Sequence, residues 1–209
     1  MHKDTNFNNT EPSLFFEKLN TGKKVVGIDE AGRGPLAGPV TAAAVLLNPT
    51  SIPLGIKDSK KLTKLNRNKL FEEIINTSVV GIASASVEEI DRLNILRATM
   101  LAMKRAFVCI CWKIGKIPDV ALIDGNQSPN LPCESKTIIK GDSKSISIAA
   151  ASIVAKVSRD NLISEIGAQF PEYRWNKNAG YATKEHLLGL TIFGKTPHHR
   201  NSFRPIKHK

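Results

Sequence analysis

The segment Lys24-Val25-Val26-Gly27-Ile28-Asp29-Glu30-Ala31-Gly32-Arg33-Gly34-Pro35-Leu36-Ala37-Gly38-Pro39-Val40 constrains this chain more than any other. Its apolar, β-branched start reads as a buried strand. Two adjacent carboxylates end that strand, a glycine-rich turn carrying one arginine follows, and a second apolar run begins at Gly38. Side chains alternate faces along a strand, so Asp29 and Glu30 can serve one centre only if the strand ends between them. Gly32 and Gly34 favour such an ending and, lacking a Cβ, let backbone approach a ligand. A surface Asp-Glu capping a strand is the plain alternative; the Gly-Arg-Gly-Pro that follows favours a site. Two acids at a strand end suit a hard divalent cation. Arg33 offers a planar fork of donors to a phosphate or a sugar edge.

The 209 residues suffice for one domain with a sizeable core. Lys and Arg outnumber Asp and Glu by 30 to 19, a net charge of +11, so the surface attracts polyanions. Charge alone says little, but with the acid pair it points to metal-assisted chemistry on nucleic acid. An aromatic share of 6% argues against a stacking-rich single-strand binder. Cys109, Cys111 and Cys133 are odd in number and match no common zinc or redox spacing, which suggests reduced thiols in a cytoplasmic protein. Met1 to Pro12 is polar and shows no secretory signal. No apolar run approaches the roughly 20 residues that span a bilayer, so no membrane association is expected. A monomer is expected.

Periodicity and punctuation predict a loose tail to Asn20 with a short helix around Ser13 to Leu19, then strands at Val25–Asp29 and Gly38–Leu47. A Pro/Ser/Asn loop follows at Asn48–Leu54. A helix over Thr63–Ile75 has Thr63 as its candidate N-cap. Val79–Val87 reads as a third strand, Val87–Leu93 and Asn94–Trp112 as a short and a long helix. Val120–Asp124 and Ser135–Lys140 read as the fourth and fifth strands. Ser143–Ile166 is a long helix of small residues, Thr183–Phe193 a last helix, and Gly194–Lys209 a basic tail. The short connections between the first three strands suggest an antiparallel meander, with later strands added by helical crossovers. The expected fold is α/β, a mixed five-stranded sheet with helices on both faces.

Three strand ends deliver acids: Asp29 with Glu30, then Asp124, then Asp142 after the fifth strand. Without clustered His or Cys, such a set favours Mg²⁺ or Mn²⁺ over zinc. Two such ions can clamp the attacking and leaving oxygens of a phosphodiester. Each acid also has a bland role: Asp124-Gly125 is a turn dipeptide, and Asp142 sits where the Ser143 helix needs an N-cap. The stretch Asp58-Ser59-Lys60-Lys61-Leu62-Thr63 is either a solvated helix start or a phosphate-contacting patch, and spacing leaves both open. Tyr181 precedes a helix in a flexible turn, where its ring either packs at the surface or stacks on a sugar or base. The tail from Lys195 carries no acid and reads as phosphate-contacting; adjacent His198 and His199 rarely share one ion.

Together these stretches resemble the bacterial ribonuclease HII family, the type 2 ribonucleases H. The resemblance rests on Gly27-Ile28-Asp29-Glu30-Ala31-Gly32-Arg33-Gly34-Pro35, Asp58-Ser59-Lys60-Lys61-Leu62, Asp124-Gly125, and Lys140-Gly141-Asp142 running into Ala149 to Asp160. It continues through Gly180-Tyr181, Lys184-Glu185-His186, His199-Arg200 and Ser202-Phe203, and so covers about Val25 to Phe203 in order. Family members more often have Gly where Ala182 stands. The resemblance implies a ribonuclease H-like core over 23–167, a C-terminal helical, basic extension over 168–209 that contacts substrate, and an N-terminal tail over 1–22. It implies endonucleolytic cleavage of RNA in RNA–DNA hybrids, and incision 5′ to single ribonucleotides in duplex DNA, leaving 3′-hydroxyl and 5′-phosphate. Ribonucleotide excision repair and DNA replication are the corresponding setting. By the same resemblance Asp29, Glu30, Asp124 and Asp142 are the catalytic and metal-binding set for two Mn²⁺ or Mg²⁺ ions, with Asp29 bridging both. Gly32, Arg33 and Gly34 read the 2′-hydroxyl, and Tyr181 stacks on the adjoining deoxyribose. Ser59, Lys60, Lys61, Arg200 and Ser202 complete the substrate contacts.

Three rival readings have distinct signatures. The sister type 3 enzymes carry an extra N-terminal substrate-binding domain, and the two dozen or so residues before Asp29 are too few for one. A non-catalytic basic nucleic-acid-binding protein would need no carboxylates at three strand ends. A small-molecule phosphohydrolase would explain the acids but not the +11 charge.

Overall fold

The computed structural model describes residues 11–206. The sheet contains β1 (Val25–Ala31), β2 (Val40–Leu46), β3 (Val79–Ala85), β4 (Val120–Asp124) and β5 (Glu134–Ile138) in the order β3-β2-β1-β4-β5. The first three strands form the expected antiparallel meander, and β4 and β5 add in parallel beside β1. The helices are α1 (Phe15–Lys18), α2 (Lys64–Thr77), α3 (Val87–Leu93), α4 (Ile95–Ile114), α5 (Ile146–Gln169), α6 (Trp175–Asn178) and α7 (Lys184–Phe193). The mixed, helix-flanked sheet is the expected class, with one topological correction. The parallel step from β3 to β4 uses α3 and α4, but the step from β4 to β5 uses only the irregular segment 125–133.

Alternation along the strands assigns the two faces. Val26 and Ile28 of β1, Ala42 and Ala44 of β2, and Ala121 and Ile123 of β4 pack with Ala102, Met103, Ala106, Phe107 and Ile110 of α4. Ala43 and Val45 face the other way, onto Leu70 and Ile74 of α2 and Ala149 to Ala155 of α5. The small residues expected to bring α5 onto the sheet do so, and Gly27 is where contact is tightest. A Cβ there would stand 2.1 Å from the Ser147 carbonyl carbon. Caps set the helix starts: Asn94 for α4, Ser145 for α5, and Thr63 and Thr183, as expected, for α2 and α7. Asp142 therefore does not cap α5. It lies in a separate 3-10 turn, Gly141–Ser143, entered through Lys140 at φ 55°. That turn also ends β5 at Ile138 rather than at Lys140.

α5 runs through the expected boundary at 167/168, so the C-terminal segment grows directly out of the core helix. Beyond it a short 3-10 turn (Pro171–Tyr173) and α6, neither anticipated from the sequence, fold with α7 around Tyr173, Trp175 and Leu190. Leu36 and Ala37, from the glycine-rich segment after β1, belong to the same cluster. At the other end α1 docks on the start of α5. Glu17 Oε1 accepts bonds from the Ser145 and Ser147 hydroxyls and the Ser147 N–H at 2.6, 2.7 and 3.0 Å. The rest of the expected tail, residues 1–10, and the last three residues of the basic tail lie outside the described residues. The three cysteines are free thiols. Among the described residues, no helix is long and apolar enough to cross a membrane.

Candidate active site

Register brings the first two acids together. Ile28 pairs with Ile123 across the parallel β1–β4 ladder, so Asp29 and Asp124 come next in line, on the face toward α5. Glu30 belongs to the opposite face, yet ligand oxygens of Asp29, Glu30 and Asp124 all lie within 4.8 Å of one another. The sequence argument required β1 to stop between Asp29 and Glu30, and that is incorrect: β1 stays paired with β2 as far as Ala31–Thr41. What stops is β4, whose last residue is Asp124. Past that point one flank of β1 is open, and the longer glutamate side chain can reach round the sheet end. Asp29 Oδ1 leans forward along the strand and accepts the Glu30 N–H at 2.7 Å.

The Gly141–Ser143 turn lies against this pair. Gly141 N–H donates to Asp124 Oδ1 at 2.6 Å, and Asp142, 9% exposed, enters the same cleft of about 310 Å³. Asp142 stands outside the tight trio but close enough to feel it. Burial, then Asp124 and Asp58, raise its carboxyl above the ordinary range. Asp29 is raised well above that range by burial, then by Glu30 and Asp124. Glu30 is also raised by burial, although Arg33, whose Nη1 is 3.4 Å from Glu30 Oε1, pulls the other way. Opposite the acids stands Lys60. Partial burial lowers its ammonium, but Asp142, Asp58, Asp29 and Asp124 outweigh that and hold it raised. Oxygen-only donors that resist sharing their negative charge fit a hard divalent cation and fit zinc poorly.

Gly32, Arg33 and Gly34 line the cleft beside the acids, and so do Ser59, Lys60 and Tyr181. Asp58 accepts the Lys60 N–H at 2.9 Å and caps a 3-10 turn over Ser59–Lys61, so the capping reading of this stretch holds. Ser59 is buried and bonds Ser152 Oγ at 2.9 Å. Lys61 does not line the cleft. Tyr181 is 46% exposed, and a Cβ on Gly34 would stand 3.4 Å from its ring Cε1.

Two expected substrate contacts, Arg200 and Ser202, do not line the cleft. Arg200 is fully buried, and its guanidinium donates to the carbonyls of Gly32 (2.6 Å), Arg33 (2.9 Å), Gly38 (2.9 Å) and Pro39 (3.1 Å). It braces the glycine-rich loop from behind. Ser202 donates its N–H and hydroxyl to Asp91 Oδ1 at 2.9 and 2.6 Å, tying the C-terminal segment to α3 away from the cleft. Burial, then the neighbouring Arg159, push Arg200 down to about 9.

Arg159 has a role that no sequence argument assigns. Buried in α5, it donates to Ala179 O at 2.7 Å, Ala37 O at 3.1 Å and Pro39 O at 3.3 Å, and so joins the glycine-rich loop to the tyrosine segment. Ser152 and Lys156 of α5 line the cleft with it. Their spacing of four and then three residues marks one helix face, a polar stripe in an apolar helix that is visible in the sequence.

The family model described as Ribonuclease HII matches residues 26–206. The chain is 53% identical over 186 residues to the ribonuclease HII of Magnetococcus marinus, covering 88% of this chain and 86% of that relative. It is 57% identical over 183 residues to that of Cereibacter sphaeroides, covering 87% and 84%. Among solved structures, a chain of the PCNA:RNase HII complex from Archaeoglobus fulgidus aligns with a TM-score of 0.70 at 27% identity, over 87% of this chain and 95% of that one. A matched stretch that begins in β1 and runs to the end of the described residues, at identities above 50% in its bacterial relatives, places the chain in the ribonuclease HII family.

Proposed function

We propose that this enzyme cleaves the RNA strand of RNA–DNA hybrids and incises duplex DNA 5′ to single embedded ribonucleotides, leaving 3′-hydroxyl and 5′-phosphate ends. One observation carries the reading: Asp29, Glu30 and Asp124 converge in a cleft that also holds the Gly32–Gly34 loop, Lys60 and Tyr181. The carboxylates of Asp29, Glu30 and Asp124, with Asp142 beside them, would hold the divalent ions. Two Mg²⁺ or Mn²⁺ ions there would lower the pKa of the attacking water and stabilise charge on the leaving 3′-oxygen.

The remaining work belongs to the chain's own groups. Arg33, half-exposed beside Glu30, presents its free donors to the scissile phosphate. Lys60 supplies a second positive charge from across the cleft. The backbone of Gly32 to Gly34 comes close to the 2′-hydroxyl, the group that separates RNA from DNA. The exposed Tyr181 ring packs on the adjoining deoxyribose and marks the junction. Lys61, outside the cleft, extends the cationic surface toward the duplex. Arg159 and Arg200 keep the loop and the tyrosine segment in one fixed relation.

A non-catalytic nucleic-acid-binding protein would have no use for buried acids held against their mutual repulsion. The test is a DNA duplex with one ribonucleotide, labelled at either end of that strand, incubated with Mn²⁺ or Mg²⁺. The proposal expects one nick, 5′ to the ribonucleotide, and a 3′ product ready for ligation at its 5′-phosphate. Cleavage at the 3′ side, or equal cleavage of an all-DNA duplex, contradicts it.

A further inference from the structure

Tyr181 exposes its ring, so its position is set through its backbone. Its carbonyl accepts the Thr183 N–H at 2.8 Å and His186 Nδ1 at 2.8 Å. His186, in the first turn of α7, is fully buried. On its far side Nε2 accepts the Trp175 indole N–H at 3.0 Å and lies 3.1 Å from His199 Nε2. His199, also fully buried, accepts the Thr196 N–H on Nδ1 at 2.9 Å. The Lys184–His186 and His199–Arg200 stretches belong to the family pattern, and neither histidine touches the cleft.

The terminal groups fix every proton in this chain of bonds. Peptide and indole N–H groups only donate, and a carbonyl only accepts. His199 Nδ1 is therefore bare, and its Nε2 carries the proton that it gives to His186 Nε2. His186 in turn carries its proton on Nδ1 and gives it to Tyr181 O. Both rings are neutral, and the facing Nε2 atoms are occupied by each other and by the indole, so the pair is not a metal site. Burial agrees with this: it lowers His186, and with His186 alongside it lowers His199 to about 4. Tyr173, stacked on Trp175 at 5.1 Å and edge-on to His199 at 4.9 Å, walls the rings in.

We infer that His186, locked in one tautomer by Trp175 and His199, is a positioning residue that sets the height of the Tyr181 ring over Gly34, and thereby the enzyme's selectivity for a ribonucleotide–deoxyribonucleotide junction. The inference rests on the reading of Tyr181 as a substrate contact. A strut of two neutral imidazoles is short and stiff, and its one flexible joint is the tyrosine backbone it grips. Tyr181 N–H also donates to Asn178 O at 2.9 Å, but of the two buried imidazoles only His186 Nδ1 bonds the tyrosine, at its carbonyl.

Two substitutions separate that atom from the rest of the ring. His186→Asn keeps a donor near Nδ1, whereas His186→Gln keeps polar atoms near Nε2 and loses the bond to Tyr181. The assay is cleavage of a duplex with a single ribonucleotide, beside a uniform RNA–DNA hybrid, with Mn²⁺ and the full-length protein. His186→Gln should lower kcat/KM on the junction substrate on the order of tenfold, with a smaller loss on the hybrid. His186→Asn should stay within about twofold of the parent on both. In a Tyr181→Ala background the His186→Gln loss should disappear, because the strut then holds nothing. A loss of equal size in both backgrounds, or a His186→Asn variant as impaired as His186→Gln, overturns the strut. A Tyr181→Ala enzyme that keeps parental activity overturns the tyrosine reading instead, and the strut with it. Should His186→Gln fail to fold, His186→Met, which fills a similar volume and likewise has no donor for Tyr181 O, takes its place in the same cycle.

Discussion

Asp29 is the residue least at ease in the metal-free fold. It is buried beside two other carboxylates, and its carboxyl is held well above the ordinary range. Glu30 and Asp142 are raised as well. Raised acids mean that the folded chain keeps protons which the unfolded chain, titrating near pH 4, has already released. The stability tied to these groups is full below about pH 4 and is lost as pH rises through the raised folded values. Metal-free protein should therefore lose thermal stability as pH climbs from about 4 to neutrality, and the Tm gained on adding Mn²⁺ should grow over the same window. Melting curves across that range, with and without Mn²⁺, check the sign; a Mn²⁺ gain independent of pH contradicts it. The same repulsion predicts that Asp29→Asn raises the metal-free Tm by a few degrees while shrinking the Mn²⁺ gain. Gly32 is constrained differently. Its φ is 95°, and a Cβ would fall 2.1 Å from Arg159 Nε. Gly32→Ala should cost about 1–3 kcal/mol in backbone strain alone, seen as a lower urea midpoint, and should displace the arginine brace.

The contact between β1 and α5 is the joint on which the site is built, because Asp29 and Glu30 ride on one element and Ser152, Lys156 and Arg159 on the other. Gly27 makes the joint possible: any side chain there meets the Ser147–Ile148 backbone. Gly27→Ala should cost several kcal/mol, more than a surface substitution in α2 by a wide margin, and chemical denaturation of the two variants gives the comparison. Much at this scale was legible in the sequence. The meander, α2 with its Thr63 cap, α7 with its Thr183 cap, and the acids at three strand ends all follow from periodicity and turn chemistry. What escaped has a common cause. The convergence of Asp29 with Glu30 depends on where β4 stops, a property of the neighbouring strand that alternation within β1 cannot show. Arg159 and Arg200 donate to backbone carbonyls of distant segments, and a carbonyl has no residue type to betray it. The bonds of Ser202 and Arg200 likewise leave no sign in the sequence, because their partners, Asp91 and the loop backbone, are brought up by tertiary folding alone. The stripe Ser152, Lys156, Arg159 was legible in principle but hidden inside a run of alanines.

For the whole molecule, the decisive contrast is between a cleft crowded with carboxylates and a chain of net charge +11. On the proposed function the surrounding cations would draw a duplex in, while the acids would repel its phosphates until divalent ions neutralised them. Binding should consequently be steep in salt: with about four to five phosphate contacts, affinity for the duplex should fall roughly 10²- to 10³-fold between 50 and 200 mM salt. Fluorescence anisotropy with a labelled, uncleavable duplex measures that slope, and a flat response contradicts it. Divalent ions should sharpen binding at the junction beyond their effect as salt, since they alone reverse the charge of the cleft. The central claim is that Asp29, Glu30 and Asp124 form one metal-dependent centre. The most direct measurement incubates a single-ribonucleotide duplex with parent and Asp29→Asn protein, with Mn²⁺ or with chelator. The expected result is one nick by the parent in Mn²⁺, none in chelator, and a loss of at least about 10³-fold in the variant, with duplex binding retained. Near-parental cleavage by Asp29→Asn, or cleavage that persists in chelator, would contradict it.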